Sequence, residues 1–268
     1  MSRNERFDGI NRLYGKETTH ILGKLHVCVI GLGGVGSWSA EALARSGIGN
    51  ITLIDYDDIS ESNINRQIHA TSSTLGNKKI DVLRNRILDI NPDAVCNTID
   101  DFINNDNLHE YLSRFDYDYV IDAIDSIIYK AAIIYYCRRN KIAVITTGGA
   151  GGVTRPETIM VKDLTRSYND ALAARVRSLL RKEYGYSKNP KRYFGVECVF
   201  SSQKKLYPDR DGCVSTSKPG IHGVHLDCSM GYGSASYITA TFGFAAAARV
   251  INKTLIRLSE KNNKTVRN

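Results

Sequence analysis

The chain has 268 residues, 42% of them apolar, and a formal net charge of +8. That is enough for one large domain with a sizeable core. Its six cysteines, at 28, 96, 137, 198, 213 and 228, are never spaced C-x-x-C, which argues against a paired-cysteine zinc site and against a disulfide framework.

Residues 3–24 are polar but carry Phe7, Ile10, Leu13, Tyr14, Ile21 and Leu22, which predicts a helical segment packed on something else. No apolar run follows the first basic residues, so the expected compartment is the cytoplasm. Val27 to Ile30 reads as a buried strand and ends in Gly31-x-Gly33-Gly34-x-Gly36. A helix from Ser37 to Arg45 follows. Strand, glycine turn and helix start make a cradle whose backbone N–H groups face an anion. Ile51 to Ile54 is a second strand, with Asp55 at its carboxyl end, 19 residues after Gly36. An acid there can accept from a ribose hydroxyl.

The polar stretch from Tyr56 to Gln67 has no core periodicity. Lys78 to Ile90 predicts a helix, with Ile80, Leu83, Ile87 and Ile90 on one face, ended by Asn91-Pro92. Ala94 to Ile99 is a strand, Leu108 to Phe115 a helix, and Tyr119 to Ile121 a strand that runs into Asp122-Ala123-Ile124-Asp125. Ser126 is expected to cap a helix to about Asn140. Ile142 to Thr146 is a strand ending in Gly148-Gly-Ala-Gly-Gly152. The fold class is therefore α/β: a doubly wound, mainly parallel Rossmann-like sheet, with ligands outside the carboxyl ends of the strands.

Beyond residue 152 the pattern becomes a basic, loop-rich C-terminal extension. It holds a candidate strand at Thr158–Lys162, a basic helix at Leu172–Tyr184 and loops to about Leu226. Residues 228–248 carry no charge and are long enough to suggest a membrane span. Their small and hydroxyl residues favour a buried helix instead. The tail from Lys261 is expected to fray. The expected organisation is a single domain, 1–268, with a nucleotide-binding core at 20–152 and a substrate-binding extension and C-terminal helix at 153–268.

Arg66, Gln67 and Lys79 follow the ribose acid, and Asp125 ends another strand. Cations beside a phosphate cradle, with a separate carboxylate for Mg²⁺, suit a nucleoside triphosphate whose phosphates are attacked. These glycines, with Asp55, Ser62-Asn63-x-x-Arg66-Gln67, Lys79 and Asp122-x-x-Asp125, resemble the adenylating domain of ubiquitin-activating enzymes and their ThiF, MoeB and HesA relatives. The resemblance implies ATP and Mg²⁺ chemistry on a carboxylate. Gly31, Gly33, Gly34 and Gly36 would cradle phosphate, and Asp55, with Asp57 beside it, would hold the nucleoside. Asn63, Arg66, Gln67 and Lys79 would contact the triphosphate. Asp125 would ligate Mg²⁺, and Arg12 would reach the partner subunit's ATP in a homodimer.

The chain departs from that pattern in lacking paired C-x-x-C ligands and a clear catalytic-cysteine loop. Cys198, Cys213 and Cys228 lie where relatives place a thioester-forming residue, but none has an activating histidine beside it, so none is expected to be essential. Arg6-Phe7, Arg12-Leu-Tyr-Gly15, Thr146–Gly152, Gly195–Ser201 and Thr239–Phe244 resemble one subfamily, the tRNA threonylcarbamoyladenosine dehydratases. That implies a modified tRNA as partner, adenylation of its threonyl carboxylate and closure by the neighbouring ureido group, which needs no enzyme nucleophile. It also allows a sulfur-relay partner of the cysteine desulfurase kind. Between Ala171 and Lys205 nine cations face only Glu183 and Glu197, a net +7. Arg175, Arg177, Arg181, Lys182, Lys188, Lys191 and Arg192, interleaved with Tyr184, Tyr186, Tyr193 and Phe194, are the expected RNA contacts. The alternatives are an adenylyltransferase acting on a sulfur-carrier protein's C-terminal glycine, and a nucleotide-holding module without chemistry.

Overall fold

The computed structural model describes residues 3–208, 213–217 and 232–265. Cys228, residues 228–231 of the uncharged stretch and the last three residues of the tail lie outside them. Two helices, α1 (Arg3–Tyr14) and α2 (Thr18–Leu22), precede the strand–helix alternation. It runs β1 (His26–Ile30), α3 (Gly36–Arg45), β2 (Asn50–Ile54), α4 (Lys79–Ile90), β3 (Val95–Ile99), α5 (Leu108–Ser113), β4 (Tyr119–Asp122), α6 (Ile127–Arg139) and β5 (Ala143–Thr147). Then come β6 (Ile159–Asp163), α7 (Ala171–Glu183), β7 (Glu197–Ser201), a small hairpin of β8 (Tyr207–Pro208) and β9 (Val214–Ser215), and α8 (Ser236–Thr265).

The main sheet has seven strands in the order β3-β2-β1-β4-β5-β7-β6. All its pairs are parallel except β6–β7. The central strands are apolar on both faces because both are covered. One face packs on α3, α4 and α8 through residues such as Leu43, Leu83 and Phe242. The other packs on α5, α6 and α7 through Leu112, Ile133 and Val176. From β1 the sheet grows outward through β2 and β3, and the chain then crosses back to lay β4 on the other side of β1. That reversal opens a crevice at the carboxyl ends of β1 and β4.

Three expectations change. Ser126 sits at the N-cap of α6 but makes no side-chain cap bond. Residues 197–201, expected as loop, form β7 in the body of the sheet, between β5 and β6. Within the uncharged stretch, α8 starts only at Ser236 and is one-sided: Ile238, Phe242 and Ala246 are buried, while Tyr237 and Phe244 are exposed. Its small residues have a packing cause. A Cβ on Gly243 would lie 2.6 Å from the Val35 carbonyl oxygen and 2.8 Å from the Trp38 Cβ, so glycine is what lets α8 approach α3 this closely. Among the described residues no helix is long and apolar enough to cross a membrane.

The antiparallel β6 divides the basic stretch between two edges of the sheet. Asp163, the last residue of β6, pairs with Glu197, the first of β7, so it lies at the amino edge of the parallel strands. The Asp163 carboxylate accepts from the N–H groups of Phe194, Gly195 and Val196 at 2.8 to 3.2 Å and so pins the loop before β7 to that edge. α7 begins at the carboxyl edge, where Asp170 accepts from the Gly149 N–H, and runs back to the amino edge.

Candidate active site

The glycine turn closes on itself and on the end of β4. A Cβ on Gly36 would sit 1.7 Å from the Gly31 oxygen. Gly31 has φ +83°, and a Cβ there would meet Ile124 at 2.9 Å. The turn and the Asp122–Asp125 segment therefore lie in contact. Gly34 packs under Thr239 of α8. Gly33 differs from all three: its φ is ordinary and nothing lies within 4 Å of its would-be Cβ. Neither backbone nor packing requires glycine there, which leaves open space above the loop. The N–H groups of Gly33 and Gly34 have no acceptor among the described residues. Open space lined by donors fits a phosphate.

Asp55 directly follows β2 and is buried. Its Oδ2 accepts from the Leu32 N–H at 2.5 Å and its Oδ1 from the Asp57 N–H at 2.9 Å. Each carboxylate oxygen keeps a lone pair for a ribose hydroxyl. Burial pushes the Asp55 carboxyl above its ordinary range, opposed by the charge of Lys79. Lys79, at the start of α4, is buried and donates to Asp57 Oδ2 at 2.5 Å. Asp125 is exposed and its carboxylate has no hydrogen-bond or ion-pair partner among the described residues. Tyr56 stands among these acids: Asp57 first, then burial, Asp55 and Asp125 raise its phenol above the ordinary value. Among the described residues no three His, Cys, Asp or Glu side chains are placed to hold a metal. One carboxylate is still a sufficient protein ligand for Mg²⁺ when phosphate oxygens supply others.

The segment carrying Asn63, Arg66 and Gln67 forms the next wall. Asn63 is buried, and its Oδ1 accepts from the Ser60 N–H at 3.2 Å. The Arg66 carbonyl accepts from Trp38 Nε1 and Thr239 Oγ1, both at 3.0 Å, which ties the segment to α3 and α8. The Arg66 guanidinium donates to the Ser62 carbonyl and Asn65 Oδ1. It lines a cavity of ≈ 810 Å³ shared with Tyr232, Gly233 and Ser234. Gln67 is buried, with its Oε1 unpartnered among the described residues. Thus Gly31, Gly33, Gly34, Gly36, Asp55, Asp57, Asn63, Arg66, Gln67, Lys79 and Asp125 are gathered around the carboxyl edge.

Other expected residues lie elsewhere. Arg12 pairs with Asp8 at 3.0 Å, on an exposed helix anchored by Arg6 to the Ile90 carbonyl at the amino edge. Arg177 donates to the Leu164 carbonyl and Ser167 Oγ, and is half-buried. Arg181 donates to the Ser187 carbonyl and lies 5.4 Å over the Phe194 ring. Lys182 pairs with Glu183. Lys188, Lys191 and Arg192 are exposed at the amino edge, and Arg175 is exposed on α7 near the carboxyl edge. Asp122, half of the D-x-x-D pattern, faces inward: it is fully buried and pairs with Lys130 at 3.0 Å. Cys198 is fully buried in β7 and burial pushes its thiol far up, so it is inert as a nucleophile.

Three side chains that shape the carboxyl edge escape a sequence reading. Lys130 hides among the apolar residues of α6, and Lys205 inside a charge run. Asp170 has the one readable signal, an acid just before an apolar-periodic helix, and it does cap α7 by accepting from the Ala173 N–H at 2.9 Å.

His69 sets a pH limit on this wall. It is 2% exposed, and neither ring nitrogen has a partner among the described residues. Burial first, and then the charge of Lys79, push its pKa from 6.5 down to about 3. The unfolded chain takes up a proton there below about 6.5 while the folded chain does not, so stability falls with pH through that window. His69→Gln, which cannot titrate, should lose less stability than the wild type between pH 7 and roughly pH 4.5 in urea titrations. Equal losses would contradict this.

The sequence matches the ThiF family over residues 8–267. A tRNA threonylcarbamoyladenosine dehydratase of Haemophilus influenzae is 53% identical over 255 residues, covering 95% of each chain. A crystal structure of the E. coli tRNA N6-threonylcarbamoyladenosine dehydratase, TcdA, in complex with ATP is similar at a TM-score of 0.85 and 45% identity, covering 96% of each chain. The molybdopterin-synthase adenylyltransferase of E. coli is more distant, 28% identical over 45% of this chain. The chain belongs to the ThiF family and, within it, to the tRNA threonylcarbamoyladenosine dehydratases.

Proposed function

We propose that this enzyme uses ATP to dehydrate threonylcarbamoyladenosine next to the anticodon in tRNA, closing it to a cyclic nucleoside through an acyl-adenylate. The observation that carries this reading is the crevice itself. An open glycine loop, two cations (Arg66 and Lys79) and a carboxylate without a partner among the described residues (Asp125) lie together. In the first step a carboxylate oxygen of the threonyl group attacks the α-phosphorus and the bond to pyrophosphate breaks. In the second the ureido group attacks the acyl carbon, the bond to AMP breaks, and a proton is released. Holding the two reacting groups together suffices for the ring closure.

The chain's own groups have clear tasks. The N–H groups of Gly33 and Gly34 hold phosphate oxygens, and Asp55, with Asp57 beside it, receives the nucleoside. Arg66 and Lys79 exchange protein acceptors for phosphate, joined by Asn63 and Gln67. Asp125 holds Mg²⁺, which when bound shields the triphosphate charge. Arg12, remote from its own crevice, serves the neighbour's site in a homodimer. The tRNA lies from the crevice along α7 to the amino edge, over Arg175, Lys188, Lys191 and Arg192, and the enzyme works beside its tRNA in the cytoplasm.

Purified protein with ATP, Mg²⁺ and tRNA should form one AMP for each nucleoside that loses one water, and only with tRNA that carries the modification. Asp125→Asn should slow this by about a hundredfold or more while the fold is kept. AMP formation driven by a sulfur-carrier protein instead would favour the adenylyltransferase, and no turnover with either would favour a binding module. Reversing Lys188, Lys191 and Arg192 to Glu should weaken tRNA binding and leave ATP affinity intact. It should also flatten the salt dependence of tRNA binding by about 0.7 to 0.9 for each phosphate that the variant no longer neutralises. Unchanged affinity and slope would move the RNA surface elsewhere.

A further inference from the structure

Lys205 lies just beyond the carboxyl end of β7, and its Nζ donates to the carbonyl of Gly149 in the loop after β5. An ammonium has three donors. Gly149 takes one, and no other acceptor or ion-pair partner holds the rest among the described residues. Asp170 brackets the place: it accepts from the Ala173 N–H at 2.9 Å and from the Gly149 N–H at 3.0 Å, and is 4% exposed. A Cβ on Gly148 would lie 2.2 Å from its Oδ2, so the loop is clamped to the start of α7. Gly149 resembles Gly33. Its φ is ordinary, and nothing comes nearer to its would-be Cβ than the Lys205 Nζ at 4.0 Å. Open space therefore faces an amine with donors to spare.

The place follows from the strand order. β5 lies next to β4, so the Gly149 loop adjoins the Asp122–Asp125 turn. Two strand spacings, about 10 Å, separate it from the end of β1 and the glycine turn. A carboxylate lying in between would reach both a phosphate on that turn and the Lys205 amine. Burial lowers the Lys205 pKa, with Asp170 partly restoring it, as for an amine removed from bulk water.

Building on the activity proposed above, we propose that Lys205 is a catalytic residue that holds the substrate's threonyl carboxylate during adenylation and its acyl oxygen during ring closure. Asp170 and Gly149 are positioning residues for it. When the ureido nitrogen bonds to the acyl carbon, charge moves onto the acyl oxygen, and a spare Lys205 N–H donates to it. The electron pair then returns, the bond to AMP breaks, AMP leaves with that pair, and the nitrogen's proton passes to water. A donor fixed in advance stabilises that charge without reorganising.

The test uses full-length enzyme with modified tRNA and reads two quantities: the ATP-induced thermal shift and tRNA-dependent ATP–pyrophosphate exchange. Lys205→Gln can still donate to the Gly149 carbonyl but carries no charge, whereas Lys205→Arg keeps the charge. The Gln variant should keep the ATP shift and lose about a hundredfold or more of exchange, and the Arg variant should stay within about tenfold of wild type. A Gln variant with near-normal exchange would overturn the proposal and leave Lys205 a mere strut for the loop. Loss of the ATP shift in the Gln variant would overturn it too. Should the Gln variant not fold, Gly149→Val, which fills the space before the amine, decides by the same readouts. A wild type without modified-tRNA-dependent exchange overturns the activity itself; an active wild type with an active Gln variant overturns only the role of Lys205.

Discussion

The buried pair between Lys130 and Asp122 governs the geometry of the crevice. Both side chains are inaccessible, and the ammonium and both carboxylate oxygens each have a partner. The Lys130 Nζ donates to Asp122 Oδ1 at 3.0 Å and to the Ile124 carbonyl at 2.9 Å, while Thr146 Oγ1 donates to Asp122 Oδ2 at 2.6 Å. Such a pair adds little net stability, but removing one partner costs about 3 to 5 kcal/mol because a charge is left buried alone. Its effect is to fix the turn from Asp122 to Asp125. That turn closes on Gly31, so one ion pair fixes both the glycine turn and the outward placement of Asp125.

The two edges of the sheet divide the work. The carboxyl edge gathers ends of strands, glycine turns and unpartnered donors, which is where a doubly wound sheet leaves room for a ligand. The amino edge is tied down: Arg6 reaches the end of α4, and Asp163 binds the loop before β7 through several N–H groups. The basic stretch links these edges because α7 runs from one to the other. In the proposed complex a long polyanion rests on the rigid edge while its reactive nucleoside enters the other. Lys205 and Asp170 extend the crevice across β5 and β7, strands that the first half of the chain does not contain.

Much of this was legible in the sequence because its signals are local. The glycine turn, Asp55 at a strand end, and the alternation of short apolar runs with amphipathic helices each depend on neighbouring residues. What escaped depends on distant partners. Both acids of D-x-x-D look alike in sequence, yet Asp122 is locked inside by Lys130 while Asp125 is exposed and has no partner among the described residues. Arg177 and Lys188 belong to one charge run, but the first is tied to Leu164 and Ser167 and the second is exposed. β7 was hidden because Glu197 interrupts its apolar pattern, and its acid is matched from far along the chain, by Arg249 of α8, which donates to it at 2.7 to 3.0 Å, and by Lys253 at 3.3 Å. The small residues of α8 looked like a membrane or core signal until Gly243 met α3.

In the proposed reaction the oxygen lost from the nucleoside leaves on AMP. The decisive experiment labels both oxygens of the threonyl carboxylate of the modified tRNA with oxygen-18 and weighs the nucleotide released in a single turnover. Adenylation followed by cyclisation predicts one heavy oxygen in each AMP and none in pyrophosphate. Unlabelled AMP, or the label in orthophosphate beside ADP, would contradict it.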